Sequence, residues 1–495
     1  MSADLAGAIL DFGYLMAMWS PGILLARAIG HKNTWLSLTL GFLFSTVVIT
    51  VLFHLTALFQ ATENWWFISK IVLLVILGVT AWIAVRKRDV AAFNQLGIAL
   101  AIATVAVIAR NLFRIDGRLR GWDHFSVGWI SSLAQSGHDP SYFGGSEYIK
   151  RGFAVPLLLA QGREGQLLLS VTIVILLLAL ISTFLLATSI GTQWNAIGTS
   201  LGIGLVVIWF TTFIVWGMAF FLNGHALMAL AVATLVAVIV GKDSSRDRTP
   251  LELLTVFVAG FTIASTRPEG FALALILTLP LFMKPAFESG RQTSLRLAAI
   301  LAAPLGFVMW FATTNFFSLS PLSTTIVSVT LMVVVGAMFF ALNAKPSWHE
   351  AVVSIIAAVL VVVAVLQLVG SPPTFQALRV FARNSFFGFG LWGIVPWLFV
   401  AVFIAHLLVK FDKRVTALVN LTAMAVIFTI AVKIVDGLVV IGGVPGLSLG
   451  WWDSINRSLF HLIALPSALF LRLGAITTRG NRTDVQNKAA GQLGP

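Results

Sequence analysis

The segment RNLFRIDGRLRGWDHFSVGWISSLAQSGHDPSYFGGSEYIKRGFAVPLLLAQGREG, residues 110–165, is the longest polar stretch lying between two hydrophobic spans. It gathers ionisable groups in a chain otherwise starved of them. Within it, Trp122-Asp123-His124-Phe125 is followed by Trp129 and Leu133, at intervals of about one or two helical turns. That spacing predicts a short amphipathic helix over 124–135, with an acid at its start, lying where water meets lipid. The apolar run from Phe153 to Ala160 is too short to cross a bilayer. It is expected to form a second interfacial helix over 153–161.

Outward from this segment the chain is apolar. Hydrophobic residues make up 58% of its 495 residues and charged residues 10%, against about 25% charged in soluble proteins. The composition is that of an integral membrane protein, with no room for a sizeable soluble domain. The net charge of +13 therefore reads as topology rather than as a nucleic-acid footprint, because Lys and Arg collect in cytoplasmic loops. With no cysteine in the chain, disulfides, thiolate catalysis and thiolate metal sites are excluded. Asp4 and Asp11 flank the first apolar stretch, and no basic region precedes it, which argues against a cleaved signal peptide.

Apolar windows fall at 6–27, 35–59, 66–85, 95–113, 166–190, 196–222, 225–241 and 251–266. Others follow at 271–287, 296–317, 322–343, 350–369, 391–409, 415–436 and 458–474. The expected fold is thus all-α, with about fifteen transmembrane helices and no internal repeat. With the N-terminus outside, Arg27, Lys32, Arg86 to Arg88, Lys242, Arg246, Arg248, Lys284, Arg291, Arg296, Lys345, Lys410, Lys413 and Arg414 all fall inside. The polar tail 476–495 joins them and is expected to be disordered and cytoplasmic. The 110–165 loop falls outside.

Four further cations break the charge rule by falling outside: Arg267, Arg379, Arg383 and Arg457. They share the predicted face of Asp123, and a cationic cluster beside an acid at one lipid boundary suits a lipid phosphate. Each residue also has a plainer reading. Asp123 would cap a helix, and its aromatic neighbours would anchor at headgroup level. Asp116 and Asp139 sit in turn-like contexts. Lys150 and Arg151 either hold phosphate or snorkel toward headgroups. In Arg267-Pro268-Glu269-Gly270, Pro268 and Glu269 suit a helix start, which explains Glu269 better than Arg267. Asp453 would cap the last span, putting Asn456, Arg457 and His461 in its first turns; Arg457 there opposes the helix dipole. Lys70, Asn223 and His225 lie near the same face and read as structural, and His54 and His406 carry no assigned role. The eight histidines show no metal-ligand spacing, and the chain has no P-loop or glycine-rich dinucleotide loop.

These features together resemble the GT-C superfamily of polytopic glycosyltransferases. There, a span leads into a long first external loop with an acid near its start and two interfacial helices. The matching pieces are the 95–113 span, Trp122-Asp123-His124-Phe125, the two loop helices, the Arg267-Pro268-Glu269-Gly270 turn, and Asp453 to His461. Residues 1–93 would be additional helices and 94–475 the GT-C-like core. Trp19-Ser20-Pro21-Gly22, with the short basic loop after it, is similar to a poorly characterised family of large bacterial membrane proteins.

The resemblance implies transfer of a sugar, with inversion, from a polyprenyl-phosphate donor to a cell-envelope glycan, lipid or protein acceptor on the external face. Asp123 would be the general base. His124, Lys150, Arg151, Arg267, Glu269, Arg379, Arg383, Asp453, Asn456, Arg457 and His461 would bind sugar or lipid phosphate. No cofactor is expected, although some members of the superfamily use a divalent ion and one clear loop acid is compatible with that. Two rival classes are a transporter or flippase of a lipid-linked or anionic solute and a non-catalytic subunit of an envelope-building complex. The first would show repeats and mid-membrane charges, and the second would tolerate loss of Asp123.

Overall fold

A computed structural model describes residues 2–29, 33–58, 62–113, 122–137, 154–162, 166–189, 200, 212, 224–240, 250–267, 270–278, 298–299, 301–309, 372–408, 415, 418–429 and 458–469. Among these residues the protein is helical, with no strand. Five helices are long and apolar enough to cross a membrane. Four of them open the chain: α1 (Ser2–Ala28), α2 (Thr34–Leu58), α3 (Trp65–Arg86) and α4 (Val90–Phe113). The loop contributes α5 (Trp122–Gln135) and α6 (Ala154–Leu159). Beyond it come α7 (Ser170–Ser189), the fifth long helix, then α8 (His225–Ile239), α9 (Pro250–Thr266) and α10 (Gly270–Thr278). The last described helices are α11 (Pro372–Phe386), α12 (Val395–Leu408), α13 (Leu418–Thr429) and α14 (Phe460–Leu469). The expected spans at 196–222, 322–343 and 350–369 and the tail 476–495 lie almost wholly outside the described residues.

Charge pairing fixes α1 and α4 antiparallel. At one end, Arg27 grips the carboxylate of Asp89 through Nε and Nη2, at 2.7 and 3.0 Å. Asp89 also accepts from the Ala92 amide (3.3 Å) and so caps α4. At the other end Arg110 pairs with the buried Asp11. The crossing of α1 and α2 is a backbone-to-backbone contact, since a Cβ on Gly22 would overlap the Gly41 carbonyl. Such close approach is how helices gain contact in lipid, where the hydrophobic effect cannot drive them together. Trp19 and Pro21, on either side of this crossing, have structural roles. Trp19 Nε1 donates to Leu38 O across it (2.9 Å). Pro21 lies within α1 and withholds one helical donor, while Ser20 Oγ donates to Met16 O (2.6 Å).

Exposure separates the helices into two kinds. On α3 and α4, Phe67, Leu74, Val79, Trp82, Phe93, Val105 and Ile108 are exposed, an apolar outer surface on helices about 33–36 Å long. Every residue of α8 is buried, among α2, α7, α9, α10 and the turn that opens α14. The midpoints of α7 and α8 meet through Ser182 and Thr234 (3.2 Å). Helix α7 starts beside α6, where the Leu168 amide donates to Leu159 O (2.9 Å), at the face that also carries α5 and is called the loop face below.

Candidate functional site

The two loop helices form where the hydrophobic spacing predicts them, and α3 holds both. Trp65 Nε1 donates to Ala134 O at the end of α5 (2.6 Å), and Trp66 Nε1 to Ala160 O just beyond α6 (2.8 Å). Gln135 closes the gap between them with Nε2 reaching Ala160 O, Gly162 O and Gln166 O at 3.3–3.4 Å. All six residues of α6 are buried, and it packs against α2, α5 and α9. Trp66 also carries Lys70, whose ammonium lies 3.1 Å from the indole centroid and 4.4 Å from that of Tyr14.

Asp123 and His124 lie in the first turn of α5. As described, the helix opens one residue earlier, so Asp123 is inside the turn rather than at its cap. It stands at the end of α5 remote from the Trp65 clamp, roughly 16 Å along the axis. Lys150, Arg151, Glu269, Asp453, Asn456 and Arg457 lie outside the described residues.

Arg267 follows α9 directly and opens a tight reversal. The Gly270 amide donates to Arg267 O (2.9 Å), and a Cβ at Gly270 would collide with the Ile263 carbonyl. A glycine is therefore required for α10 to fold back against α9. The reversal delivers the guanidinium of Arg267 to His225, the first residue of α8. Arg267 Nη1 lies 3.0 Å from His225 Nε2 and 3.5 Å from Nδ1. His225 Nδ1 in turn lies 2.6 Å from His461 Nε2, in the 3-10 turn that opens α14. The imidazoles are nearly parallel, at 25° with centroids 4.8 Å apart, and only 2% and 1% exposed.

Nη1 stands at similar distances from both ring nitrogens of His225, so the guanidinium lies over the face of the imidazole rather than at its edge. Between His225 Nδ1 and His461 Nε2 one nitrogen donates and the other accepts. The positive end of α8 and the guanidinium stand side by side at this cluster. The two imidazoles face each other rather than a shared centre, and among the described residues no third His, Asp or Glu completes a metal site.

The sequence reading expects Arg267 and His461 at one face, and the structure brings them together through His225, a residue assigned a structural role. Arg379 and Arg383 stand apart on α11, an amphipathic helix over a segment expected only to link two spans; Arg379 is exposed and Arg383 half-buried. The link between α11 and the cluster is apolar. A cavity of about 230 Å³ is lined by Phe381 and Phe386 of α11, Trp392, Val400 of α12, and Leu462 and Ile463 of α14. Leu462 and Ile463 follow His461 directly, so the turn that carries His461 into the polar cluster also walls an apolar cavity.

Comparison with models of protein families, with curated proteins and with solved structures finds no match.

Proposed function

We propose that this protein is a membrane glycosyltransferase that moves a sugar from a polyprenyl-phosphate donor to an envelope glycan, lipid or protein acceptor on the external face. The observation that carries this reading is the two-sided turn at His461, with Arg267 and a histidine pair on one side and an apolar cavity on the other. A cationic polar cluster joined to an apolar cavity has the polarity of an amphiphile with an anionic head. The loop face would be external, consistent with the charge bias of the sequence.

In the reaction, the acceptor hydroxyl oxygen bonds to the anomeric carbon while the bond from that carbon to the phosphate oxygen breaks, leaving its electron pair on the phosphate. Asp123 takes the hydroxyl proton as general base. Arg267 meets the charge that grows on the leaving phosphate, with Arg457 and the loop cations Lys150 and Arg151 as the further candidates for that work. The donor arrives already activated by its phosphate, so no nucleotide site is needed.

The test is Asp123→Asn, assayed for transfer from a radiolabelled polyprenyl-phosphate sugar, with Asp116→Asn and Asp139→Asn as controls for loop damage. Loss of a general base lowers the rate by about 10²–10⁴-fold, while Asn keeps the size and shape of the side chain. Full transfer by Asp123→Asn would remove this residue as the base. Vesicles that accumulate solute without consuming a glycosyl bond would mark the protein as a transporter instead.

A further inference from the structure

Lys70 differs from the other cations of the first four helices in what faces it. Arg27 and Arg110 each close on a carboxylate, and Arg86 is exposed at the end of α3. Lys70 is half-buried, and among the described residues it has neither an ion pair nor a hydrogen-bond acceptor. Its ammonium instead lies between two ring faces, 3.1 Å from the centroid of Trp66 and 4.4 Å from that of Tyr14. Two rings engage at most two of its three N–H donors. A ring quadrupole also attracts a cation without carrying a charge to cancel it. The Tyr14 hydroxyl likewise makes no hydrogen bond among the described residues.

Helix geometry sets the depth of this charge. A Cα–Cβ bond tilts toward the helix N-terminus, so Lys70 reaches back over Trp66, in the first turn of α3. Trp65 and Trp66 hold α5 and α6, which puts that turn at the loop face. Since α3 is about as long as a bilayer core is thick, its first turn falls where lipid phosphates lie. Beside Lys70 runs a stripe of exposed apolar side chains at helical spacing, Phe67, Ile71 and Leu74. We propose that Lys70 and Tyr14, braced by Trp66, form a site for the phosphate of an anionic glycerophospholipid whose acyl chains lie along this stripe. A phosphodiester carries one negative charge, matched to one ammonium. Its oxygens accept from both Nζ of Lys70 and Oη of Tyr14.

A lysine that merely snorkels reaches the same depth, but on a free stem. Here rings from two helices, α1 and α3, fix the ammonium before any lipid arrives, so little side-chain freedom is lost on binding. The acid closest to Tyr14 along α1 is Asp11, and it is paired with Arg110. The bound lipid thus supplies the counter-charge that the protein gives to Arg27 and Arg110 but not to Lys70, and ties α1 to α3 at the loop face.

The experiment places the full chain in nanodiscs of phosphatidylglycerol and phosphatidylcholine, in equal amounts and with identical acyl chains. After transfer to detergent, native mass spectrometry counts the lipids that stay bound. One phosphatidylglycerol should be retained over phosphatidylcholine by about tenfold or more, the scale of one hydrogen bond to a charged group. Lys70→Gln should lose this preference and Lys70→Arg should keep most of it. Arg86→Gln removes an exposed cation stacked over Trp82 at the other end of α3, and should leave the preference unchanged. Equal retention of the two lipids by the wild-type protein, or a preference that survives in Lys70→Gln, would overturn the site. So would displacement of the phosphatidylglycerol by an equimolar polyprenyl phosphate, since the site would then belong to the sugar donor rather than to a resident lipid. Should Lys70→Gln fail to fold, amine labelling of the wild-type protein decides alone. Phosphatidylglycerol in place of phosphatidylcholine should slow modification of Lys70 about tenfold relative to the exposed Lys87, and equal rates would remove the site. Neither readout involves sugar transfer, so the lipid site and the proposed activity stand or fall separately.

Discussion

Two arginines in different parts of the protein show what a partner does to a cation. Arg27 closes on a carboxylate through two hydrogen bonds, and that carboxylate also caps a helix. Arg267 stands against an imidazole that is itself hydrogen-bonded to a second one. A carboxylate cancels the charge it meets and leaves a staple. An imidazole brings no full opposite charge to a cation, so this contact is the weaker of the two.

The comparison breaks most sharply at the third pairing, Arg110 with Asp11, which is the most buried of the staples. Arg110→Ala leaves Asp11 charged and desolvated and should cost about 3–5 kcal/mol, the usual penalty for removing one partner of a buried pair. Thermal unfolding in detergent measures it, and Asp11→Asn combined with Arg110→Gln should recover much of the loss. A single variant as stable as the parent would show that the pair staples nothing.

Arg267→Gln should behave in the opposite way. Binding of a phosphodiester should weaken by about 1.5–3 kcal/mol, the scale of a hydrogen bond to a charged group, with a smaller loss of stability than Arg110→Ala causes. If the two variants melt alike, Arg267 is another staple and the contrast collapses. Between these extremes lies Trp65→Phe. It keeps the ring but removes the donor to Ala134 O, and should cost about 1 kcal/mol. The loosening should be visible as faster labelling of a cysteine placed on α5.

The smallest effect belongs to Asp89. The hydrogen bond from Arg27 holds its carboxyl below the ordinary carboxylate range. A depressed pKa contributes stability that is fully present above the ordinary value, near 4, and is lost as pH falls through the folded value. Asp89→Asn should therefore cost at most about 1 kcal/mol at neutral pH, because the pair is partly exposed. Its deficit against the parent should shrink in acid. A deficit unchanged down to pH 3 would dissociate the staple from the charge of Asp89.

Apolar periodicity and length made the long helices legible, and the starts and ends of α1 to α4 fall within a few residues of the windows in the sequence. The spacing of Trp122, Phe125 and Trp129 likewise foretold α5. Helix α11 was not legible as a helix, because it opens on Pro372-Pro373 and is too polar to register as a span. Nor was the partnership of His225 and His461, which stand 236 positions apart. Each is a lone polar residue at the end of an apolar stretch, a pattern that more often means packing, and only tertiary folding puts them in contact. The one available signal was that charge topology assigns both to the same face as Arg267.

Both ion pairs described here join α1 to α4, so the order of synthesis matters. Asp11 enters the membrane about 100 residues before Arg110 leaves the ribosome, an interval of roughly 5–20 s at ordinary rates of translation. Until then a carboxylate destined for burial has no mate, and α1 must wait at the edge of the insertion channel, neutralise Asp11 by protonation, or borrow a temporary partner. The first four helices are in this sense a single unit of biogenesis. A chain cut after α3 would carry the acid without its cation, and should be cleared by quality-control proteases faster than one cut after Phe113.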